Sequence, residues 1–367
     1  MPFPPGFRPV SFDDLPGWRQ DNPQQAYEAF RRSAGHVQHK PYKTGELGVA
    51  FESFCDPYAE AQRIPSMDEQ GARNFFERHF VPAVVAGEAG ETGLVTGYYE
   101  PQVAASLQRT EKFTVPLLAR PADLVDVDDS NRPATFDPYL AFARFTDGGL
   151  VEYYDREAID RGALSGRNLE IAWLTDPVDA YFIHVQGAAR LVLPDGSVKR
   201  ITYAAKSAQR FTGAGKVLVE LGEIPFEQVT MQSIRAWFRK NPERVNEILW
   251  RNRSYIFFRE EPVDDPALGP VAAAKVPLAP GRSVAVDRRL HTFGTPFFIV
   301  SESLTAFDGK PFARLMIAQD TGSAIVGAAR GDLFAGSGDA AGEIAGVVRN
   351  KATFYALLPR ALVEGRQ

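Results

Sequence analysis

The sequence predicts a mainly β protein with flanking helices, of the α+β class. The 367 residues include 26 Phe, 27 Pro and 31 Gly, a composition that favours many short strands and turns over long helices. Two short apolar runs end in aspartate, at 283–287 and 315–320, as strands do where they pass into turns. The helix start signals, in contrast, introduce only short amphipathic segments.

Composition bounds the class of protein. With 44% hydrophobic and 24% charged residues, the chain is typical of a globular protein with a sizeable core, and its length suggests two domains. The net charge of −5 and the lack of a Lys/Arg cluster argue against binding of nucleic acid. The single cysteine, Cys55, excludes an internal disulfide.

The sequence predicts neither a transmembrane helix nor a signal peptide. No stretch approaches the roughly 18 apolar residues that a transmembrane helix needs. The first 18 residues contain neither the apolar core of a signal peptide nor a cysteine that could take a lipid.

The N-terminal region predicts two helices. Asn22-Pro23 supplies an N-cap and a first-turn proline for a helix over 23–33. Ser66 and Glu69 form a capping box for a second helix. The aromatic residues expected on its core face are Phe75, Phe76 and Phe80.

Residues 93–101 predict a strand that runs into a turn. Within it, Gly97 allows another backbone to approach closely, and Tyr98 and Tyr99 offer flat faces. The apolar C–H face of a sugar ring packs well on such aromatic faces. An aromatic strand packed in a core explains the same residues equally well, and nothing else in the run decides between the two.

The region 106–234 predicts an inserted, mainly β unit. Residues 181–186 alternate like a strand, which would put His184 and Gln186 on one face. The Asp195-Gly196 turn between two apolar runs predicts a hairpin. We expect His184 to be structural, whereas the Gln186 amide suits a sugar hydroxyl or acetamido group. The absence of HExxH or close His/Cys pairs predicts no metal site, and no cofactor motif appears.

The remaining elements precede or follow the aspartate-rich region. Thr230 and Asn241 each begin a short helix, after which 255–258 predicts a strand and 261–281 a Pro/Ala-rich linker. Residues 350–358 have weak helical character.

Three aspartates stand out near the end of the chain, namely Asp287, Asp320 and Asp332. An aspartate after a strand commonly caps a turn through its own backbone, and that interpretation suffices for any one of them. Three within one short, Gly-rich region make a carboxylate cluster on a loop-bearing scaffold more plausible.

These motifs together resemble a known family. The stretches AVDRRLHTFGT (285–295) and AQDTGSAIVGAARGDLFAGSG (318–338) resemble the 3D domain, named for three aspartates, of the membrane-bound lytic murein transglycosylase A (MltA) family. VTGYYEP (95–101), YFIHVQGAARLVLPDGS (181–197) and RNRSYIFFRE (251–260) extend the likeness in the expected order. Several ordered motifs of this length are far more specific than one short pattern.

The resemblance implies a fold and an activity. Residues 1–105 and 235–367 would form a double-psi β-barrel, and 106–234 an inserted barrel-like β domain, with a groove between them for a glycan strand. The family's enzymes are carbon–oxygen lyases that cleave the MurNAc–GlcNAc bond of peptidoglycan without water and leave 1,6-anhydroMurNAc ends. No cofactor or metal is implied. The resemblance further implies a periplasmic or outer-membrane location, and a monomer that can join cell-wall complexes.

The same resemblance implies roles for individual residues. Asp332 matches the family's general acid/base, Asp320 would orient the substrate or hold the site, and Asp287 would be structural. The family usually has an aromatic residue before the catalytic aspartate, where this chain has Arg330-Gly331. To act as an acid, Asp332 needs a raised pKa, through burial by its apolar neighbours or the charge of Asp320. The predicted substrate-binding residues, besides Asp320, are Thr96, Gly97, Tyr98, Tyr99 and Gln186.

Two other functions stay open at this point. A peptidoglycan hydrolase would use Asp320 and Asp332 as a pair, one protonating the leaving oxygen and the other activating water. A non-catalytic, expansin-like polysaccharide-binding protein would share the barrel type without turnover.

Overall fold

The computed structural model describes residues 3–86 and 92–363 of the chain. They belong to two compact units, one made of 1–99 and 265–367 and the other of 100–264. We call the first the discontinuous unit and the second the insert unit.

Strands contain more of the described residues than α-helices do, which confirms the mainly β prediction. In chain order the strands are β1 (Phe7–Pro9), β2 (Phe80–Val85), β3 (Gly93–Glu100), β4 (Gln102–Ala104), β5 (Val115–Leu118), β6 (Leu124–Asp126), β7 (Phe142–Thr146), β8 (Gly149–Val151), β9 (Glu170–Leu174), β10 (Ala188–Val192), β11 (Val198–Lys206), β12 (Ile256–Glu261), β13 (Ser283–Val286), β14 (Pro296–Ser301), β15 (Phe312–Asp320), β16 (Arg330–Ser337) and β17 (Arg349–Pro359).

The helices are short, in keeping with the capping signals. They are α1 (Gln24–Val37), α2 (Cys55–Arg63), α3 (Glu69–His79), α4 (Arg156–Asp160), α5 (Pro177–Gln186), α6 (Ala214–Glu220), α7 (Met231–Lys240), α8 (Val245–Leu249), α9 (Asp339–Ala345) and α10 (Arg360–Val363). Within residues 3–86 and 92–363, none of them has both the length and the apolar content needed to cross a bilayer.

The discontinuous unit is built on one eight-stranded sheet in the order β1-β2-β17-β14-β15-β13-β16-β3. β3 also pairs with β17, so the pairings run from β17 through β14, β15, β13 and β16 to β3 and then return to β17. β13 runs parallel to β15 and antiparallel to β16. The C-terminal ends of β13 and β15 thereby lie side by side with the first residues of β16.

The core of this unit is aromatic. Phe30 of α1 packs against Phe75, Phe76 and Phe80, with ring centroids 5.7, 6.0 and 5.8 Å away. All four side chains are fully buried, and each contributes about 1.5–3 kcal/mol of transfer free energy. The prediction that Phe75, Phe76 and Phe80 face the core is confirmed, although Phe80 begins β2 rather than ending the helix. The helix start is different: Asp68, not Ser66, caps α3 by accepting from the Gly71 amide.

The insert unit contains three small sheets, β12-β11-β10-β4, β5-β9 and β6-β7-β8. The hairpin predicted around Asp195-Gly196 is confirmed, because β10 and β11 pair antiparallel across it. The unit extends further than the predicted 106–234. β12 pairs with β11, and α7 and α8 pack on α5 and α6 in one apolar cluster, so residues 235–264 belong here.

Two secondary-structure predictions are wrong. Residues 181–186 lie in helix α5, not in a strand, because Asp176 caps the helix, Pro177 begins it and Gly187 ends it in the left-handed conformation, at φ 81°. Residues 350–358 lie in β17, not in a helix, because this segment pairs with β14, β2 and β3. Pairing partners far away in sequence outweigh a weak local preference.

Candidate active site

Asp320 and Asp332 lie on either side of one residue of β13. Ala285 pairs with Asp320 on β15 and with Asp332 on β16. The register of β13 against β15 shifts between Val284 and Ala285, so that Asp320 rather than Gln319 pairs with Ala285. Two strand spacings of about 4.8 Å put the two aspartate Cα atoms roughly 10 Å apart, and paired residues face the same side of a sheet. Sheet pairing thus brings together two of the three aspartates singled out from the sequence.

Asp332 lies within β16, not in the loop after a strand that the sequence pattern suggested. Its carboxyl Oδ1 accepts a hydrogen bond from the Thr96 hydroxyl at 2.6 Å. Thr96 lies on the adjacent strand β3, and its Oγ1 accepts from Arg330 Nη2 at 2.7 Å. A guanidinium, a hydroxyl and a carboxyl therefore form one connected chain.

Asp320 is held on both of its carboxyl oxygens. Oδ2 accepts from the Tyr98 hydroxyl at 3.0 Å and Oδ1 from the Ala273 amide at 3.2 Å, while the amide of Thr321 also bonds to the carboxyl. The Tyr98 ring packs on Phe334, with centroids 5.3 Å apart. Asp320 consequently links the 261–281 segment to the tyrosine of β3.

The strand end that carries Asp320 is anchored from behind. The neighbouring Gln319 is fully buried; its amide nitrogen donates to the Ala29 carbonyl and to Ser33 of α1, and its oxygen accepts from Ser283 at 2.6 Å. A buried amide with both ends satisfied stabilises one geometry, since losing a partner would leave a polar group unpaired.

The surroundings of both aspartates disfavour the charged carboxylate. Burial raises the pKa of Asp320 to about 6, and the nearby charge of Asp332 adds to this. Burial also raises the pKa of Asp332, against the opposing effects of the Arg330 charge and the Thr96 hydrogen bond. The direction expected for Asp332 is thus found, and its cause is burial.

The pKa of Asp320 leads to a prediction about stability. A carboxyl that binds its proton more tightly in the folded than in the unfolded state stabilises the fold below its unfolded pKa of about 3.9, and this contribution is lost as pH rises through about 6. We therefore expect the free energy of unfolding of Asp320→Asn to rise relative to that of the unmodified chain as pH increases from 4 to 7, by on the order of 1–2 kcal/mol. Denaturant unfolding of both proteins across this range measures the difference, and a pH-independent difference would contradict the assignment.

Asp287 holds the Gly-rich loop between the other two aspartates. Its Oδ2 accepts from the Gly327 amide and its Oδ1 from the Arg289 amide, both at 3.1 Å. The buried His291 contacts the Ala328 carbonyl at 2.8 Å. These contacts support the structural role predicted for Asp287.

The predicted substrate-binding residues separate into different places. Thr96 and Tyr98 contact the two aspartates, whereas Gly97 and Tyr99 pack against α9. A Cβ on Gly97 would lie 2.8 Å from the Ala345 Cα, and Tyr99 is 7% exposed. Contact of Gly97 or Tyr99 with a sugar stays a prediction.

Gln186 belongs to the insert unit, where it is the last residue of α5 and is half-buried. The strand face that it was expected to share with His184 does not exist. His184 is buried, and its Nδ1 lies 3.0 Å from Arg156 Nη2, a structural setting. Substrate contact by Gln186 stays a prediction.

One functional candidate was missed by the sequence reasoning. Arg330 was noted only as a departure from the family pattern, yet its guanidinium contacts the Thr96 hydroxyl that holds Asp332. The available signal was its position two residues before Asp332, on the same face of a strand.

In the described part of the chain, no group of three or more His, Cys, Asp or Glu side chains is arranged to hold a metal ion.

Two family models and two solved structures of related proteins match this chain. A family model described as the MltA specific insert domain matches residues 94–259, and one described as the 3D domain matches 282–358. The crystal structure of a membrane-bound lytic murein transglycosylase from Agrobacterium tumefaciens is 50% identical, with a TM-score of 0.92, over 98% of this chain and 99% of that one. That of MltA from Neisseria gonorrhoeae is 33% identical, with a TM-score of 0.79, over 96% and 92%.

Curated relatives match over a shorter span. Membrane-bound lytic murein transglycosylase A of Escherichia coli K12 is 31% identical over 257 residues, which are 68% of this chain and 61% of the relative. The protein of the same name from Vibrio cholerae is 34% identical over 197 residues, 52% of each chain. The chain thus spans less than two thirds of these two relatives.

Proposed function

The chain belongs to the MltA family of lytic murein transglycosylases, and on this premise we propose that it cleaves the MurNAc–GlcNAc β-1,4 bond of peptidoglycan without water. The products would carry 1,6-anhydroMurNAc ends. In this proposal Asp332 is the only acid/base group, and Asp320 and Tyr98 position the site.

The proposed reaction moves one proton out and one proton back. Neutral Asp332 donates its proton to the glycosidic oxygen as the bond from that oxygen to the anomeric carbon breaks. The 6-hydroxyl of the same MurNAc then attacks the anomeric carbon, and the Asp332 carboxylate takes the hydroxyl proton. Asp332 ends protonated, as it began, and no water is consumed.

The observation that carries this proposal is the unequal engagement of the two carboxyls. Both oxygens of Asp320 accept donors from the protein. Asp332 accepts from Thr96 on Oδ1, and among the contacts of the described residues Oδ2 has no protein donor. Burial raises the pKa of Asp332, which favours the protonated form that a general acid needs. One carboxyl available for proton transfer suits the lytic route better than a hydrolase, which needs a second to activate water or attack the sugar.

The closed set of strand pairings supports a finer assignment of the fold. We propose that β17, β14, β15, β13, β16 and β3, whose pairings return to their start, form the double-psi β-barrel that the family resemblance implies.

We also propose that the protein acts in the periplasm or at the periplasmic face of the outer membrane. The relatives from Agrobacterium, Escherichia and Vibrio are named membrane-bound, and murein is the substrate that those names state. Fractionation of the source cells tests this, and recovery in the cytoplasm alone would contradict it.

Mass spectrometry of digested murein tests the proposed reaction. We expect muropeptides that are one water lighter than the hydrolysis products, because the 6-hydroxyl replaces water as the attacking group. Products with ordinary reducing ends would favour the hydrolase, and binding without any product would favour the polysaccharide-binding protein.

A further inference from the structure

We propose that Arg330 and Thr96 act as positioning residues that fix which oxygen of Asp332 carries the catalytic proton. This inference rests on the proposed function for its consequence in catalysis. The geometry behind it belongs to the discontinuous unit alone.

The direction of each hydrogen bond follows from the chemistry of the groups. A guanidinium has only donors, so the 2.7 Å contact between Arg330 Nη2 and Thr96 Oγ1 makes the threonine oxygen an acceptor. The single hydroxyl proton of Thr96 is then directed to Asp332 Oδ1, 2.6 Å away. A second Arg330 nitrogen, Nη1, donates to the Gly331 carbonyl, which holds the guanidinium in this orientation.

This arrangement distinguishes the two carboxyl oxygens. Because Oδ1 accepts a hydrogen bond from the Thr96 hydroxyl, the proton of neutral Asp332 resides on Oδ2, the oxygen without a protein donor in the described residues. The same hydroxyl stabilises the carboxylate after that proton has left, since a hydrogen bond to a charged acceptor is stronger than one to a neutral acceptor. The hydrogen bonds from Arg330 to Thr96 and from Thr96 to Asp332, which we call the relay, therefore fix the proton of the acid form on Oδ2 and also stabilise the carboxylate form.

Arg330 acts on Asp332 through Thr96 and through space. Among the described residues it forms no direct ion pair with Asp332, but its charge lowers the pKa of that carboxyl against the effect of burial. Two further ionisable groups whose charges interact with that of Asp332 are Asp320 on β15 and Tyr98 on β3, while β13 contributes the apolar Ala285. Arg330 is thus the cation that keeps Asp332 able to release its proton as well as hold it.

The first test separates positive charge from the hydroxyl relay. In Arg330→Met we expect the alkaline limb of the kcat profile on murein to move to higher pH by about 1 unit, since the nearby cation no longer favours the carboxylate. Arg330→Lys keeps the positive charge, so its alkaline limb should lie close to the pH at which the wild-type limb lies. Lys351→Met, which removes an exposed cation from β17, is the matched control and should leave the profile unchanged.

The second test removes the hydroxyl without changing any charge. Thr96→Val should lower kcat by about 10- to 100-fold, since a misplaced reacting group costs on this scale, and should move the limb in the same direction as Arg330→Met. Thr96→Ser keeps the hydroxyl and should recover both properties. Thermal unfolding of each variant establishes that it is folded.

A readout independent of turnover keeps the two proposals distinguishable. NMR titration of isotopically labelled aspartate, with Asp332→Asn to assign the signal, follows the Asp332 carboxyl in the resting protein. An Asp332 midpoint that rises in both Arg330→Met and Thr96→Val supports the relay, and a midpoint unchanged in both overturns it. A wild-type protein that yields no anhydro product overturns the proposed function instead.

Discussion

Asp332→Asn is expected to lower the rate of murein cleavage by about 10²- to 10⁴-fold, the contribution typical of a positioned acid/base group. An asparagine has the size of the aspartate and can still accept from the Thr96 hydroxyl, but it has no proton that it can transfer to the glycosidic oxygen. The rate at which soluble muropeptides are released from purified murein, with this protein as the sole enzyme added, measures the effect.

The substitution should leave the fold intact, because it replaces a neutral carboxyl by an amide of the same size that can keep the hydrogen bond from Thr96. Asp339→Asn is a matched control, since Asp339 is an exposed aspartate in the first turn of α9 and should keep the wild-type rate. If folded Asp332→Asn retained more than a tenth of the activity, Asp332 would not be the acid/base group.

Glu100→Ala is expected to destabilise the insert unit by about 3–5 kcal/mol, the usual cost of removing one partner from a buried ion pair. Glu100 is 1% exposed. It accepts from Arg190 Nε at 2.8 Å and from Arg200 Nε and Nη2 at 2.6 and 3.2 Å. Both arginines are themselves buried. The substitution therefore removes the carboxylate that balances their charge, and solvent cannot hydrate the two guanidinium groups in its place.

Denaturant unfolding with a probe in the insert unit measures this loss, because a chain of two units need not unfold in one step. Glu260→Ala is the matched control. Glu260 pairs with Lys199 on the surface of the same sheet, and an exposed pair contributes about 0–1 kcal/mol. A loss of less than 1 kcal/mol in Glu100→Ala would show that the buried cluster does not stabilise this unit.

Parts of the site could be predicted from the sequence because they depend on short patterns. The run that ends at Asp320 is apolar and ends in a turn, and the structure ends β15 at that residue. Asp332 was recognised through its motif, but the structure places it inside β16. Its polar side chain is accommodated there because Thr96 supplies a donor from the neighbouring strand.

The contacts between the site residues could not be predicted locally. Thr96 and Asp332 are 236 positions apart in the chain and Tyr98 and Asp320 are 222 apart, and only the order of strands in the sheet brings them together. Arg330 was missed for the same reason. Its position two residues before Asp332 does not reveal its hydrogen-bond partner, because that partner, Thr96, lies on another strand.

Helix α5 shows how a buried element misleads a periodicity argument. Most of its residues are buried, including Tyr181, Phe182 and Ile183 in succession, so no polar face marks the helical period. The end signals were better guides. Asp176-Pro177 and Gly187 are an N-cap, a first-turn proline and a C-terminal glycine, and they enclose the segment that was assigned to a strand.

Digestion of murein in water enriched with heavy oxygen most directly tests whether the sugar's own hydroxyl, and not water, attacks the anomeric carbon. The account predicts that the released MurNAc ends carry no heavy oxygen in the wild-type protein, and that Asp332→Asn releases almost none of these products. Heavy oxygen at the newly formed MurNAc ends would contradict it.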